Sequence, residues 1–113
     1  MCSYKTWYYD DSIGYVIECG KCKKLQIGFG NVLITFLKEE FCSFRKHIDT
    51  IYERHEPAAD ATVKHIMIPT PCIGLTLLLN TKEMKELHEM LEYVDNEMQA
   101  QQLLQLFQGE EEK

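Results

Sequence analysis

Two runs of alternating apolar and polar residues meet at Gly30-Asn31 and predict a β-hairpin. Glycine stands at the first central position of this two-residue turn, as a type II′ turn requires. Counting outward from the turn places apolar residues opposite each other on one face of the hairpin and polar residues on the other. The predicted pairs are Phe29 with Val32, Ile27 with Ile34, and Leu25 with Phe36.

The rest of the pattern predicts two more hairpins and two helices. Aromatic and β-branched runs separated by turn-forming residues indicate strands, and apolar residues three and four positions apart indicate helices. The further strands are expected at 3–9, 14–19, 65–68 and 75–79, and the helices at 39–55 and 81–108. We therefore expect an α+β fold, with a mostly antiparallel sheet of about six strands and two helices on one face, in the order β-β-β-β-α-β-β-α.

The two halves of the chain carry similar patterns. A shift of 43 positions aligns the apolar residues of 32–51 with those of 75–94. Either the chain contains a duplicated ββα unit, or the likeness is the one that any two strand–helix units share.

The last predicted helix is too long for the body of the domain. From 81 to 108 it would extend for about 40 Å, whereas a domain of this size has a radius of gyration of about 13 Å. Its end, 98–108, still carries the apolar residues Leu103, Leu104, Leu106 and Phe107. We expect one domain over 1–108 whose helix end either folds back or meets a second copy of the chain, followed by an acidic, disordered tail at 109–113.

Composition narrows the class of protein. The chain has 113 residues, of which 45% are hydrophobic and 27% charged, as in an ordinary globular domain. Its formal net charge of −6 argues against nucleic-acid binding. No apolar run is long enough to span a membrane, and the first residues lack the apolar segment of a secretory signal. A cytoplasmic location is therefore expected, and the odd count of five cysteines argues against a disulfide framework.

The sequence Cys19-Gly20-Lys21-Cys22 is the strongest chemical signal. Two thiols at this spacing supply half of a tetrahedral zinc site. In the first predicted hairpin the numbers of paired residues have a sum of 23 or 24, so Cys2 would lie beside residues 21 and 22. A site formed by Cys2, Cys19 and Cys22 is predicted, with Cys72 or His65 as the candidate fourth ligand.

Redox chemistry and plain thiols are the alternatives for Cys19 and Cys22. A redox Cys-x-x-Cys usually begins a helix, whose dipole lowers the pKa of the first thiol, but here the motif is predicted between two strands. Nearby lysines could stabilise either a thiolate or a zinc–thiolate centre. Cys42, on the first predicted helix, is expected to be a small half-buried apolar residue. The common phosphate-binding, serine-hydrolase and zinc-protease motifs are missing, which argues against an enzyme.

Several short motifs together resemble a family of small uncharacterised bacterial proteins. They are Met1-Cys2, Cys19-x-x-Cys22, Phe29-Gly30-Asn31, Ile68-Pro69-Thr70-Pro71 and Leu75-x-Leu77-x-Leu79-Asn80, with Glu83 and Leu87 following. The resemblance covers 1–94 and implies a bacterial cytosolic protein, without implying a reaction. It associates Cys2 with Cys19 and Cys22, and does not include Cys72.

The sequence favours a non-enzymatic binding or interaction module with a structural zinc site at the cysteine cluster, self-associating through its last helix. The alternative is a thiol-based redox protein or sensor that uses Cys19 and Cys22.

Overall fold

The computed structural model describes residues 3–56, 60 and 62–111 and has the predicted α+β architecture. All six strands and both helices occur in the expected order. The strands are β1 Tyr4–Asp10, β2 Gly14–Cys19, β3 Leu25–Phe29, β4 Val32–Phe36, β5 Ile66–Pro69 and β6 Thr76–Leu79, and the helices are α1 Lys38–Arg54 and α2 Thr81–Glu111.

The six strands are divided between two antiparallel sheets. Strands β1 to β4 form a four-stranded meander in chain order, and β5 pairs with β6 in a separate hairpin. The β3–β4 register is the predicted one, including the pairs Leu25–Phe36 and Ile27–Ile34. Gly30 in the connecting turn has φ of 59°, a backbone conformation that suits glycine and fixes this register.

The first hairpin also has the predicted register. Tyr4 pairs with Cys19, and the main-chain N–H of Gly20 donates to the carbonyl oxygen of Ser3 over 2.7 Å. The pairing shifts by one residue at Trp7, where β1 contains a bulge. A bulge adds one residue to a strand and redirects its side chain, so the register sum changes from 23 to 24 along this hairpin.

One hydrophobic core joins both sheets to both helices. The 43-residue shift aligns buried positions of β4 and α1 with buried positions of β6 and α2. It does not align β3 with β5, because Ile27 pairs with Ile34 whereas Leu77 pairs with Ile68, two positions before residue 70. The aligned buried pairs are Ile34 and Leu77, Phe36 and Leu79, Phe41 and Met84, Phe44 and Leu87, and Ile48 and Leu91.

Helix α2 begins at a capping box. The Asn80 side chain accepts a hydrogen bond from the Glu83 N–H (2.8 Å), and the Glu83 carboxylate accepts one from the Asn80 N–H (3.0 Å). Lys64 also binds the Glu83 carboxylate, at 2.8 Å. Partial burial opposes ionisation of Glu83, but the hydrogen bonds from Lys64 and Asn80 outweigh it and lower the pKa of Glu83 below its ordinary value.

The far end of α2 extends beyond the domain. The helix has 31 residues, a length of about 46 Å, and the protein is 58 Å along its longest axis. It continues to Glu111, past the predicted end at 108; residues 112 and 113 of the predicted tail lie outside the described residues. Neither α2 nor any other helix in the described part of the chain is apolar and long enough to cross a membrane.

We expect Asn80→Ala to lower the free energy of unfolding by about 1 kcal/mol, because the N–H groups at the start of α2 lose their acceptor. Urea unfolding monitored by circular dichroism would measure this loss. Asn96→Ala, at an exposed position within the same helix, is the matched control and should be neutral or slightly stabilising. An equal loss in both variants would contradict a specific role for the cap.

We expect Glu83→Gln to destabilise the protein at neutral pH by roughly 0.5–1 kcal/mol, because glutamine retains hydrogen bonding but loses the charge that Lys64 pairs with. The folded-state pKa of Glu83 is lowered, so the carboxylate stabilises the fold above the ordinary glutamate pKa. This contribution is lost as the pH falls through the folded-state pKa. The difference between the variant and the wild type should therefore vanish in acid.

Urea titrations at neutral and acidic pH would test this dependence. The control is Glu89→Gln, whose carboxylate lies 4.0 Å from Lys85 at an exposed position, and it should show little change at either pH. A Glu83→Gln deficit that persists in acid would show that the charge is not its cause.

Candidate functional site

The Cys19-x-x-Cys22 motif forms the turn between β2 and β3. The N–H of Cys19 donates to the Lys24 carbonyl oxygen, and the N–H of Lys23 donates to the Cys19 carbonyl oxygen, each over 3.0 Å. Lys23 has φ of 62°, the left-handed conformation that closes such a turn. Cys19 is 4% exposed, whereas Cys22 is exposed and its thiol is free.

The structure describes four of the five candidate metal ligands, and these lie at three places in the fold. Cys19 and Cys22 share the β2–β3 turn, beside Ser3, and Cys2 lies outside the described residues. Cys72 is an exposed free thiol in the β5–β6 loop. The two ring nitrogens of His65 lie 2.8 Å from the Glu56 carbonyl oxygen and 3.2 Å from that of Val63. Within the described ranges, no group of three or more histidine, cysteine or acidic residues is arranged to hold a metal ion.

A mixed polar and apolar cleft of about 500 Å³ lies next to the cysteine turn. Three of its lining residues form a row of paired residues across the sheet, in which Lys5 pairs with Glu18 and Glu18 with Leu25. Phe36, paired with Leu25, continues this row in β4. Paired residues project from the same face of an antiparallel sheet. The meander therefore brings a lysine and a glutamate into line with the core residues of β3 and β4.

Glu18 is the buried charged residue of this row, at 8% exposed. Its carboxylate accepts a hydrogen bond from the indole N–H of Trp7 over 2.9 Å, and lies 3.4 Å from the Lys38 ammonium. The Lys5 ammonium lies 4.0 Å from the centre of the Trp7 ring, a cation–π contact. The bulge at Trp7 and the start of α1 at Lys38 thus supply the partners that a buried carboxylate requires.

The distal half of α2 forms the opposite wall of the cleft. Gln101 lies about two turns after Val94 and Gln105 about three turns after it, so both project on the helix side that faces the domain. The Lys5 ammonium donates a hydrogen bond to the Gln101 side-chain oxygen. The other side chains lining the cleft are Lys23, Phe41, Cys42, Asp95, Met98, Gln99 and Gln102.

The cleft was not predicted, although the sequence carried a signal for it. Val16 faces the core, and Glu18, two positions later, must share its face. A charged residue at a core-facing position therefore marked the site. The prediction for Cys42 was wrong: its side chain is exposed, because the neighbouring Phe41 occupies the buried side of α1.

The other face of the distal helix carries an exposed apolar stripe. We use the name outward stripe for Leu103, Leu104, Leu106 and Phe107, which are 57–66% exposed. Leu103 follows Val94 by two and a half helical turns, so it projects on the side opposite the buried face. Phe107 lies one turn further along this side, flanked by Leu104 and Leu106. The outward stripe therefore does not fold back onto the domain.

No curated protein and no solved structure matches the chain. A family model does match it, over residues 1–109, and its description is a family of unknown function, DUF6686. That match includes the whole described core, the cysteine turn and the distal part of α2. The chain therefore belongs to the DUF6686 family of unknown function.

Proposed function

We propose that this protein is a non-enzymatic interaction module of the bacterial cytoplasm, and that it forms a homodimer through the distal end of α2. The observation that carries the proposal is the position of the outward stripe. Four large apolar side chains are about 60% exposed on a helix face that none of the described parts of the domain covers. An exposed apolar patch on a helix is typical of a surface that packs against another protein.

The charge pattern favours a second copy of the same chain as the partner. The protein as a whole has a net charge of −6, but residues 98–108 contain no charged residue. Two copies can therefore bring these segments together without like-charge repulsion, and the glutamines beside the stripe can hydrogen-bond to each other. Ala100, Leu103 and Phe107 follow one another at spacings of three and four, the repeat of a helix pair.

The expected dimer is weak. Burying the exposed part of each stripe residue contributes roughly 1–2 kcal/mol, so eight such side chains in two copies contribute on the order of 10 kcal/mol. Association costs about 4–15 kcal/mol in lost rigid-body freedom. A cost near 4 kcal/mol leaves a favourable balance of about 6 kcal/mol, so we expect a dissociation constant of roughly tens of micromolar, set by the few large side chains of the stripe.

Sedimentation equilibrium over a concentration series should show a monomer–dimer equilibrium in the wild-type protein. Leu103→Gln combined with Phe107→Gln should weaken dimerisation at least about tenfold, because it removes the two central apolar side chains without adding charge. Folding should be retained, since both positions are exposed.

The matched control is Gln105→Ala, which changes the domain-facing side of the same helix turn and should leave the dimer intact. A monomer mass at every concentration, or equal weakening in the control, would contradict dimerisation through the outward stripe.

The cysteine turn is proposed to hold a structural zinc ion with Cys2, Cys19 and Cys22 as ligands. Support comes from the shared turn of Cys19 and Cys22 and from the Ser3–Gly20 pair, which continues the hairpin register toward Cys2. Lys21, Lys23 and Lys24 offset the negative charge of zinc-bound thiolates. The redox alternative is less favoured, because the motif connects two strands and lacks the helix N-terminus that activates a thiol.

Elemental analysis of the purified protein should find about one zinc per chain, and a chelator should lower the melting temperature as the metal leaves. Cys22→Ser should abolish zinc binding, because it removes a ligand. It should leave the fold intact, because Cys22 is exposed and its replacement creates no cavity in the core. The matched control is Cys42→Ser, which should keep the metal.

The fourth ligand can be identified by measuring the zinc content of two further variants, Cys72→Ser and His65→Ala. The variant that loses zinc lacks the ligand. If the protein is metal-free and a Cys19–Cys22 disulfide forms and is reduced reversibly, the redox hypothesis replaces the zinc hypothesis. Absence of both metal and disulfide would contradict both.

A further inference from the structure

We propose that the cleft between β1, α1 and the distal half of α2 binds a small organic anion, a carboxylate or a phosphate monoester. Lys5 and Lys23 would bind its charged group, and the half-buried side chains of Trp7 and Met98 would bind its body. This site is distinct from the outward stripe, because Gln101 and Gln105, which line it, project from the opposite side of α2.

The distribution of ion pairs leaves the cleft with unpaired positive charge. Within it, Glu18 lies near Lys38, and Asp95 lies 3.5 Å from Arg45 on α1. Among the described residues, Lys5 and Lys23 have no carboxylate within ion-pair distance. In a chain with a net charge of −6, two ammonium groups that border one cavity without acidic partners indicate an anionic ligand.

The lining of the cleft indicates that the anion has an organic part. The half-buried side chains of Trp7 and Met98 supply apolar surface, with the buried Leu25 and Phe41 beneath them, while the side-chain amides of α2 supply hydrogen-bond donors and acceptors. The volume of about 500 Å³ lies in the range of small-molecule sites and exceeds what a bare inorganic ion would fill.

The position of Trp7 allows ligand binding in the cleft to be measured by tryptophan fluorescence. Trp7 is the single tryptophan of the chain, and it borders the cleft through its contacts with Lys5 and Glu18. A ligand that displaces the Lys5 ammonium from the ring, or excludes water from it, changes the tryptophan fluorescence. Fluorescence titrations of the full-length protein therefore report directly on the proposed site.

The probes are butyl phosphate, hexanoate, inorganic phosphate and butylammonium. We expect a saturable change with at least one organic anion, and binding at least about tenfold weaker for inorganic phosphate, because it lacks the carbon chain that Trp7 and Met98 would bury. Butyl phosphate and hexanoate distinguish a phosphate ester from a carboxylate. No saturable change with either organic anion, or tighter binding of butylammonium, would overturn the proposal.

Three variants locate the binding. Lys23→Asn removes a charge while tolerating the left-handed backbone, and Lys5→Gln removes a charge from an exposed strand position. Each should weaken binding about tenfold, as the loss of one charge-assisted contact does. Glu18→Gln should strengthen it, because a like charge leaves the site and Lys38 is released.

The matched control is Lys82→Ala, which removes an equal charge at an 82%-exposed side chain on the first turn of α2. It should bind as the wild type does. Equal weakening in this control would assign the effect to the overall charge of the protein instead of to the cleft, and weaker binding by a folded Glu18→Gln variant would show that the ligand is not an anion. Either result would overturn the proposal, whether or not the protein dimerises.

Discussion

The packing of the first half of α2 is the interaction on which the rest of the structure depends. Five of its side chains are at most 1% exposed and pack with α1 and both sheets; these are Met84, Leu87, Met90, Leu91 and Val94. These five buried side chains fix the direction of the helix axis. Since the helix continues to Glu111 without a break, the same packing determines where its distal half lies. Both the cleft wall and the outward stripe are consequences of that direction.

The hairpins were predictable because short turns fix the register of neighbouring strands. Gly30 set the β3–β4 pairing, and a turn at Asp11-Ser12 set the β1–β2 pairing within one residue. The division into two sheets was not predictable in the same way. A helix and a long connection separate β4 from β5, so no turn constrains whether these strands pair. Helix spacing identified both buried faces, since apolar periodicity depends only on local sequence.

The cysteine turn depends on residues close in sequence and was predictable, whereas the cleft depends on residues far apart in sequence and was not. Cys19 and Cys22 are close in sequence, and their shared turn followed from the two flanking strands. The cleft needed contacts over long distances, such as Lys5 with Gln101, which neither periodicity nor turn chemistry could supply. Trp7 reaches Glu18 because of a bulge, and a bulge shifts register without an obvious sequence mark. The core-facing position of Glu18 was the part of the cleft that strand alternation could have revealed.

The cysteine turn and the cleft are physically connected through Lys23. Its N–H donates to the carbonyl oxygen of Cys19, and its left-handed backbone closes the turn while its side chain borders the cleft. Zinc held by Cys19 and Cys22 would restrict the turn and so the position of the Lys23 ammonium. Zinc-bound thiolates would also reduce the positive potential that attracts an anion, since three or four thiolates outweigh the charge of one Zn²⁺. The two proposed sites would therefore influence each other in two opposite ways. Ordering of the Lys23 side chain would raise the affinity for an anion, and the negative charge of the zinc-bound thiolates would lower it.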